Sequence, residues 1–157
     1  MLKIKKLYPD SQIPIRAYPT DSGLDLYAYL PDGAVSIQSL KNCVIPTGIA
    51  IQLPQVTTVV TEQSGEKYTL VKEAQIRGRS GLSAKGIHCH VGTIDNSYIG
   101  ELKAILTNLG SSEPFVISHG MKIAQLVIQT VIIPELEIVE ELVETDRSNN
   151  GFGSTGV

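Results

Sequence analysis

The last eleven residues, Arg147-Ser-Asn-Asn-Gly-Phe-Gly-Ser-Thr-Gly-Val157, hold what is needed to close over a phosphorylated base. Phe152 can stack on a flat ring. Arg147 can fork onto phosphate oxygens. Ser154, Thr155 and the backbone N–H groups around Gly153 can cradle an anion. The glycines disfavour helix and strand alike, and the segment carries too little apolar surface for a core. Taken alone, residues 147–157 read as a frayed tail or as a mobile C-terminal arm that closes on a ligand, and the rest of the chain favours the arm.

Four further clusters could serve the same ligand. Arg77-Gly-Arg-Ser-Gly-Leu-Ser83 packs two arginines, a serine and two glycines together, the composition of an anion cradle or of a solvated basic turn. Gly92-Thr-Ile-Asp-Asn-Ser-Tyr-Ile-Gly-Glu101 reads as a hairpin between two glycines, carrying Asp95 and Tyr98. An aspartate near phosphates can act as general base on water, and a tyrosine offers a flat face to a sugar or base. In Gly120-Met-Lys-Ile-Ala-Gln-Leu126, Gln125 is a polar residue in an apolar strand. It must bond either a ligand or a neighbouring strand. In Asp21-Ser-Gly-Leu-Asp-Leu-Tyr-Ala28, a period of two puts Leu24 and Leu26 on one face and Asp25 on the other. His88-Cys-His90 resembles a metal motif, but on a strand only the two histidines share a face, too few for zinc.

The elements that must position these groups read as strands. Ile49, Ile51 and Leu53 alternate with Ala50 and Gln52, and Leu102, Ala104 and Leu106 alternate with Lys103, Ile105 and Thr107. Thr57–Thr61 and Tyr68–Val71 flank a turn-rich stretch and predict a hairpin. The helix expected in the middle of the chain is short, Ser80 to Lys85. Many short strands joined by Pro, Gly, Asn and Ser turns predict an all-β, distorted jelly-roll or barrel-like domain over residues 1–146, with 57–71 as a hairpin insertion.

Composition narrows the function classes. At 157 residues with 42% hydrophobic and 18% charged content, the chain fits one globular domain. Its opening, Met-Leu-Lys-Ile-Lys-Lys, lacks the apolar run of a signal peptide, and no apolar stretch reaches membrane-spanning length. Two cysteines, Cys43 and Cys89, make no disulfide framework. A soluble cytoplasmic protein with reduced thiols is expected. Six acids, Glu135, Glu137, Glu140, Glu141, Glu144 and Asp146, account for the net charge of −3, leaving the remainder at +3. That body suits a small anionic ligand and is too weakly basic for duplex DNA.

The five clusters, in this order, resemble the five motifs of the trimeric dUTPases, from about residue 3 to the end. Gly92–Gly100 and Gly151–Gly156 carry the resemblance most specifically. The resemblance implies hydrolysis of dUTP to dUMP and pyrophosphate, with Mg²⁺ held by the triphosphate and waters, lowering dUTP and supplying dUMP for dTMP synthesis. It implies Asp95 as the base that deprotonates the attacking water and Tyr98 as the residue under the deoxyribose. The backbone through Gly92, Thr93 and Ile94 would read the uracil edge. Arg79, Ser80, Gly81 and Gln125 would bind phosphates, and Asp25 would hold metal-bound water or the arm arginine. Arg147, Gly153, Ser154 and Thr155 would close on the γ-phosphate, with Phe152 over the uracil. A homotrimer with sites shared between subunits follows from the same resemblance. Met121-Lys122 departs from the family's acid-arginine pair and predicts the loss of a structural salt bridge. Residues 55–76 exceed the family's usual connection. The related dCTP deaminases and bifunctional deaminase–pyrophosphatases share the Asp95 region, but no glutamate is placed here as a deaminating base and the tail is of the phosphatase type. A third alternative is a dUTPase-like protein with an added regulatory binding role.

Overall fold

The computed structural model describes residues 1–55, 58–63, 65, 67–110, 112–145 and 148. Among them run eleven strands and one short helix: β1 (Lys3–Lys6), β2 (Gly23–Tyr27), β3 (Val35–Ile37), β4 (Asn42–Gln52), β5 (Thr58–Thr61), β6 (Lys67–Arg77), α1 (Ser80–Ser83), β7 (Ile87–Cys89), β8 (Gly92–Ile94), β9 (Glu101–Asn108), β10 (Phe115–Ile117) and β11 (Lys122–Pro134). The all-β, jelly-roll-like class expected from the sequence is the observed one. Its barrel-like variant is not: the sheets stay open. One sheet has the order β1-β4-β9-β7, a two-stranded sheet joins β10 to β3, and the third runs β2-β11-β6, with β5 and β8 both paired to β6. The long strands β6 and β11 pair antiparallel from Gln125↔Arg77 to Pro134↔Tyr68, and the ladder ends at edge strands instead of returning on itself.

The alternation seen in the sequence is the burial pattern. Leu102, Ala104 and Leu106 on β9 are fully buried, facing Ile45 and Ile49 of β4. Ile123 and Leu126 on β11 close the core from the other side, with Ala74 and Ile76 of β6. Each such Leu or Ile contributes about 1.5–3 kcal/mol by leaving water. Ala50 is buried as well as its neighbours Ile49 and Ile51, because β4 lies centrally between β1 and β9.

Two elements differ from the sequence expectation. The helix stops at Ser83, and the chain turns through Gly86, whose φ of +76° suits glycine. The segment around Asp95 is not a hairpin. β7 pairs with β9 (Cys89↔Leu106), whereas β8 crosses to the other sheet and pairs with β6 (Ala74↔Ile94, Ile76↔Gly92). The crossing lets Ile94 pack on the core beside Ala74, which a local hairpin would leave in water. The 57–71 hairpin forms as expected within the described residues (Thr58↔Leu70, Thr61↔Lys67), but its return strand is the start of β6 and also pairs with β11.

Candidate active site

Asp25 is the hub of one cluster. β2 pairs with β11 along one edge and bridges to Ile15 along the other, and Leu24, Asp25 and Leu26 are all buried, Asp25 only 3% exposed. The predicted split of Leu24 and Leu26 from Asp25 holds for direction but not for burial. The Lys122 ammonium lies 2.8 Å from one carboxylate oxygen, and Arg79 Nε lies 3.1 Å from the other. The Arg79 contact lacks hydrogen-bond alignment, so it acts as a charge contact. Burial pushes the Asp25 carboxyl up, but the Lys122 hydrogen bond, the charges of Arg79 and Lys122, and a hydrogen bond from Gln125 outweigh it and hold it below its ordinary value. The same contact raises Lys122. Lys122 therefore supplies a salt bridge at the position where the sequence predicted one to be lost. The register Gln125↔Asp25 brings Gln125 into the group. The buried Asp25 holds Arg79 at Nε, and the Arg79 side chain stays 31% exposed. Arg79 Nη1 also donates to the Lys122 carbonyl at 3.3 Å, so the guanidinium is fixed against β11 while part of it stays in contact with solvent.

Asp95 sits elsewhere, exposed, in a turn closed by Tyr98 N–H donating to its carbonyl at 3.0 Å. Tyr98 is 44% exposed, and its hydroxyl donates to the Glu101 carbonyl at 3.0 Å. Its ring folds so closely over Gly100 that a Cβ there would come 2.6 Å from Cζ. This explains the second glycine of the pair: it lets a tyrosine lie flat as a wall. Glu101 in turn accepts from the Gly48 N–H at 2.9 Å, tying the wall to β4. Asn96, beside Asp95, donates from its amide to the carbonyls of Pro54 (3.1 Å) and Lys72 (2.9 Å), and Gln55 donates to the Asn96 carbonyl (3.1 Å). Sequence reading did not single out Asn96 or Gln55. The signal was present as an Asp-Asn pair after a strand, but their partners lie 24 to 42 residues away.

The two groups are not brought together within one chain. Asp95 follows β8 at the level of Glu73, while Gln125 pairs with Arg77 on the opposite side of β6. Four residues of strand separate the levels, about 13 Å, and two strand spacings, about 10 Å, lie across. Ser80 and Gly81 begin α1 next to Arg79, exposed. Gly92, Thr93 and Ile94 form β8 beside Asp95. Arg77 and Arg79 have separate partners: Gln75 and Gln129 hold the Arg77 guanidinium, whereas Arg79 lies against Asp25 and the Lys122 carbonyl. The arm residues Arg147, Phe152, Gly153, Ser154 and Thr155 lie outside the described residues. His88 and His90 share a face, with rings 5.3 Å apart, while Cys89 points inward, and burial pushes its thiol up to about 11. Among the described residues no three His, Cys, Asp or Glu side chains cluster as metal ligands. The donor set fits a divalent cation carried by phosphate oxygens and waters better than a protein cage. No described helix is long and apolar enough to cross a membrane.

The chain is thus an open jelly roll that carries an arginine beside a buried acid and, apart from it, an exposed aspartate three residues before a half-exposed tyrosine. The dUTPase family model matches residues 10–156. The deoxyuridine 5'-triphosphate nucleotidohydrolase of Clostridium novyi is 43% identical over 99% of both chains. That of Caldanaerobacter subterraneus is 43% identical over 100% of this chain and 98% of its own. Among solved structures, the Staphylococcus bacteriophage 80alpha dUTPase with dUPNHPP aligns with a TM-score of 0.77 at 26% identity, covering 100% of this chain and 99% of that one. A dUTPase from phage phi11 of S. aureus, solved to show coordination of a structural Mg(II) ion, shares the fold at 24% identity and a TM-score of 0.73, covering 90% of this chain and 97% of that one. The chain belongs to the dUTPase family.

Proposed function

We propose that the protein hydrolyses dUTP to dUMP and pyrophosphate as a homotrimer whose active sites are shared between subunits. The observation that carries this reading is the split of the site's chemistry. Asp95 and Tyr98 follow β8 beside the middle of β6, Arg79 and Gln125 lie at its C-terminal end, and the arm follows a segment whose apolar side chains stand exposed among the described residues. In that segment Leu136 is 93% and Ile138 100% exposed. Packing against a neighbouring copy would remove that area from water.

In the assembled site, Asp95 orients a water and takes its proton as the water oxygen bonds to the α-phosphorus. The bond from that phosphorus to the bridging oxygen breaks, and pyrophosphate leaves. Arg79, Ser80, Gly81 and Gln125 hold the phosphates in line, where charge neutralisation and positioning do most of the work. Mg²⁺, held by the triphosphate and its waters, supplies further neutralisation when bound, with Asp25 an outer partner of the site. Tyr98 walls off the deoxyribose, the backbone of Gly92, Thr93 and Ile94 reads the uracil edge, and Arg147, Phe152, Gly153, Ser154 and Thr155 close the lid. The physiological result is less dUTP and a supply of dUMP for thymidylate. A cytoplasmic setting is supported by two free thiols, Cys43 and Cys89.

The test is complementation. Inactive Asp95→Ala chains are co-expressed with inactive chains lacking residues 147–157. In random mixed trimers about one site in four combines an intact Asp95 with an intact arm from another chain, so about a quarter of the parental activity should return. Mixed trimers without activity would refute the shared site.

A further inference from the structure

We infer that Asn96 is a positioning residue for Asp95, with Gln55 as its brace; the inference rests on the reading of Asp95 as the base. The β6–β8 ladder runs Ile76↔Gly92, Gln75↔Thr93, Ala74↔Ile94, and its continuation sets Asp95 opposite Glu73 and Asn96 opposite Lys72. The backbone leaves the ladder at that point to form the Asp95–Tyr98 turn. Lys72 then loses the backbone donor that a continued ladder would bring. The Asn96 side chain replaces it, with Nδ2 donating to the Lys72 carbonyl at 2.9 Å. The same nitrogen donates to the Pro54 carbonyl at 3.1 Å, on the segment leaving β4. One amide group thus ties the residue after Asp95 to both large sheets.

Gln55 fixes the other side of the residue. Its Nε2 donates to the Asn96 carbonyl and to the Leu53 carbonyl, each at 3.1 Å. Asp95 is therefore flanked by Ile94, in the ladder and packed on the core, and by Asn96, bonded on both its side chain and its carbonyl. An exposed carboxylate has little packing of its own to set its direction. Here the turn's attachment sets it. Proximity catalysis is sensitive to this, since a misplacement of about 1 Å can reduce rate on the order of 10²-fold.

Two donors facing two carbonyls make the role specific to an amide. Asn96→Asp keeps size and shape but turns both contacts into oxygen facing oxygen. The enzyme should keep its KM for dUTP within about threefold and lose about tenfold to a hundredfold in kcat. Gln55→Ala removes only the brace and should show a smaller loss of the same kind, which keeps the test available if Asn96→Asp folds poorly. The deciding experiment measures kcat for each substitution alone and on an Asp95→Asn background. A residue acting through Asp95 loses its effect when Asp95 is gone, so the double variants should be no slower than Asp95→Asn itself. Parental kcat in the single variants, or the same fractional loss on both backgrounds, would overturn the inference while leaving the base assignment standing. Near-parental turnover by Asp95→Asn would overturn that assignment and this inference with it.

Discussion

Replacing Asp25 by asparagine removes one charge from the most buried ionic group of the candidate site and changes almost nothing in shape. Arg79 Nε at 3.1 Å from the carboxylate has a gross attraction of about 5 kcal/mol at an effective dielectric near 20. Most of that is offset by the desolvation of a carboxylate only 3% exposed and by the solvent reaching the guanidinium. With the Lys122 ammonium at 2.8 Å from the other oxygen, a net loss of about 2 kcal/mol remains, in line with the worth of a charge-assisted hydrogen bond such as the one from Lys122. For a chain of 157 residues this lowers Tm by about 4–8 °C. The pH dependence gives the sharper signature. The folded Asp25 carboxyl lies below its ordinary value of 3.8, so its stabilisation is fully present above that value and is lost as pH falls through the depressed folded one. The Tm gap between parent and Asp25→Asn should therefore be constant from neutral pH to about pH 5 and shrink below pH 4. Thermal unfolding followed by circular dichroism at fixed protein concentration measures it. Equal Tm values at neutral pH, or a gap that widens towards acid, would refute the account of Asp25 as the clamp on Arg79 and Lys122.

Deleting residues 147–157 should leave Tm within about 2 °C of the parent and remove most dUTP turnover, since the sequence of the proposed arm offers groups for a lid and little apolar surface for a core; normal turnover by the shortened chain would show the tail to be dispensable. Gly86→Ala should lower stability by about 3 kcal/mol, combining a positive φ with overlap on the Gly110 backbone, whose amide nitrogen would lie 2.5 Å from the new Cβ. Urea unfolding reads this directly, and a parental midpoint would contradict the packing of the turn after α1. The Lys122–Asp25 contribution should be fully present below the ordinary lysine value of 10.5 and be lost as pH rises from there through the raised folded value of Lys122, so a stability loss centred below pH 10 would point to another group.

Strand periodicity was legible because burial enforces it locally: Leu102, Ala104 and Leu106 could not face water together. The order of the chemical clusters was legible for the same reason, since Gly100 and Tyr98 are three-residue geometry. What the sequence did not reveal lies in long-range register. The switch of β8 from β7's sheet to β6 depends on Ala74 and Ile76, some twenty residues upstream. The period of two places Asp25 on the face away from Leu24 and Leu26, yet it is buried because Gln125 and Lys122, about a hundred residues later, arrive beside it on β11. Arg77 and Arg79, adjacent in the motif, diverge to opposite partners because the strand ends between them.

The most direct test of the central claim is pyrophosphate release from dUTP, dTTP, UTP and dCTP, each measured with Mg²⁺ under the same conditions and with the nucleoside product identified. The account predicts pyrophosphate and dUMP from dUTP, with turnover of the other three lower by at least about a hundredfold, since in the proposed site Tyr98 would bar a 2′-hydroxyl and the β8 backbone would fit only the uracil edge. Comparable release from dTTP or UTP, or any uracil nucleotide made from dCTP, would contradict it.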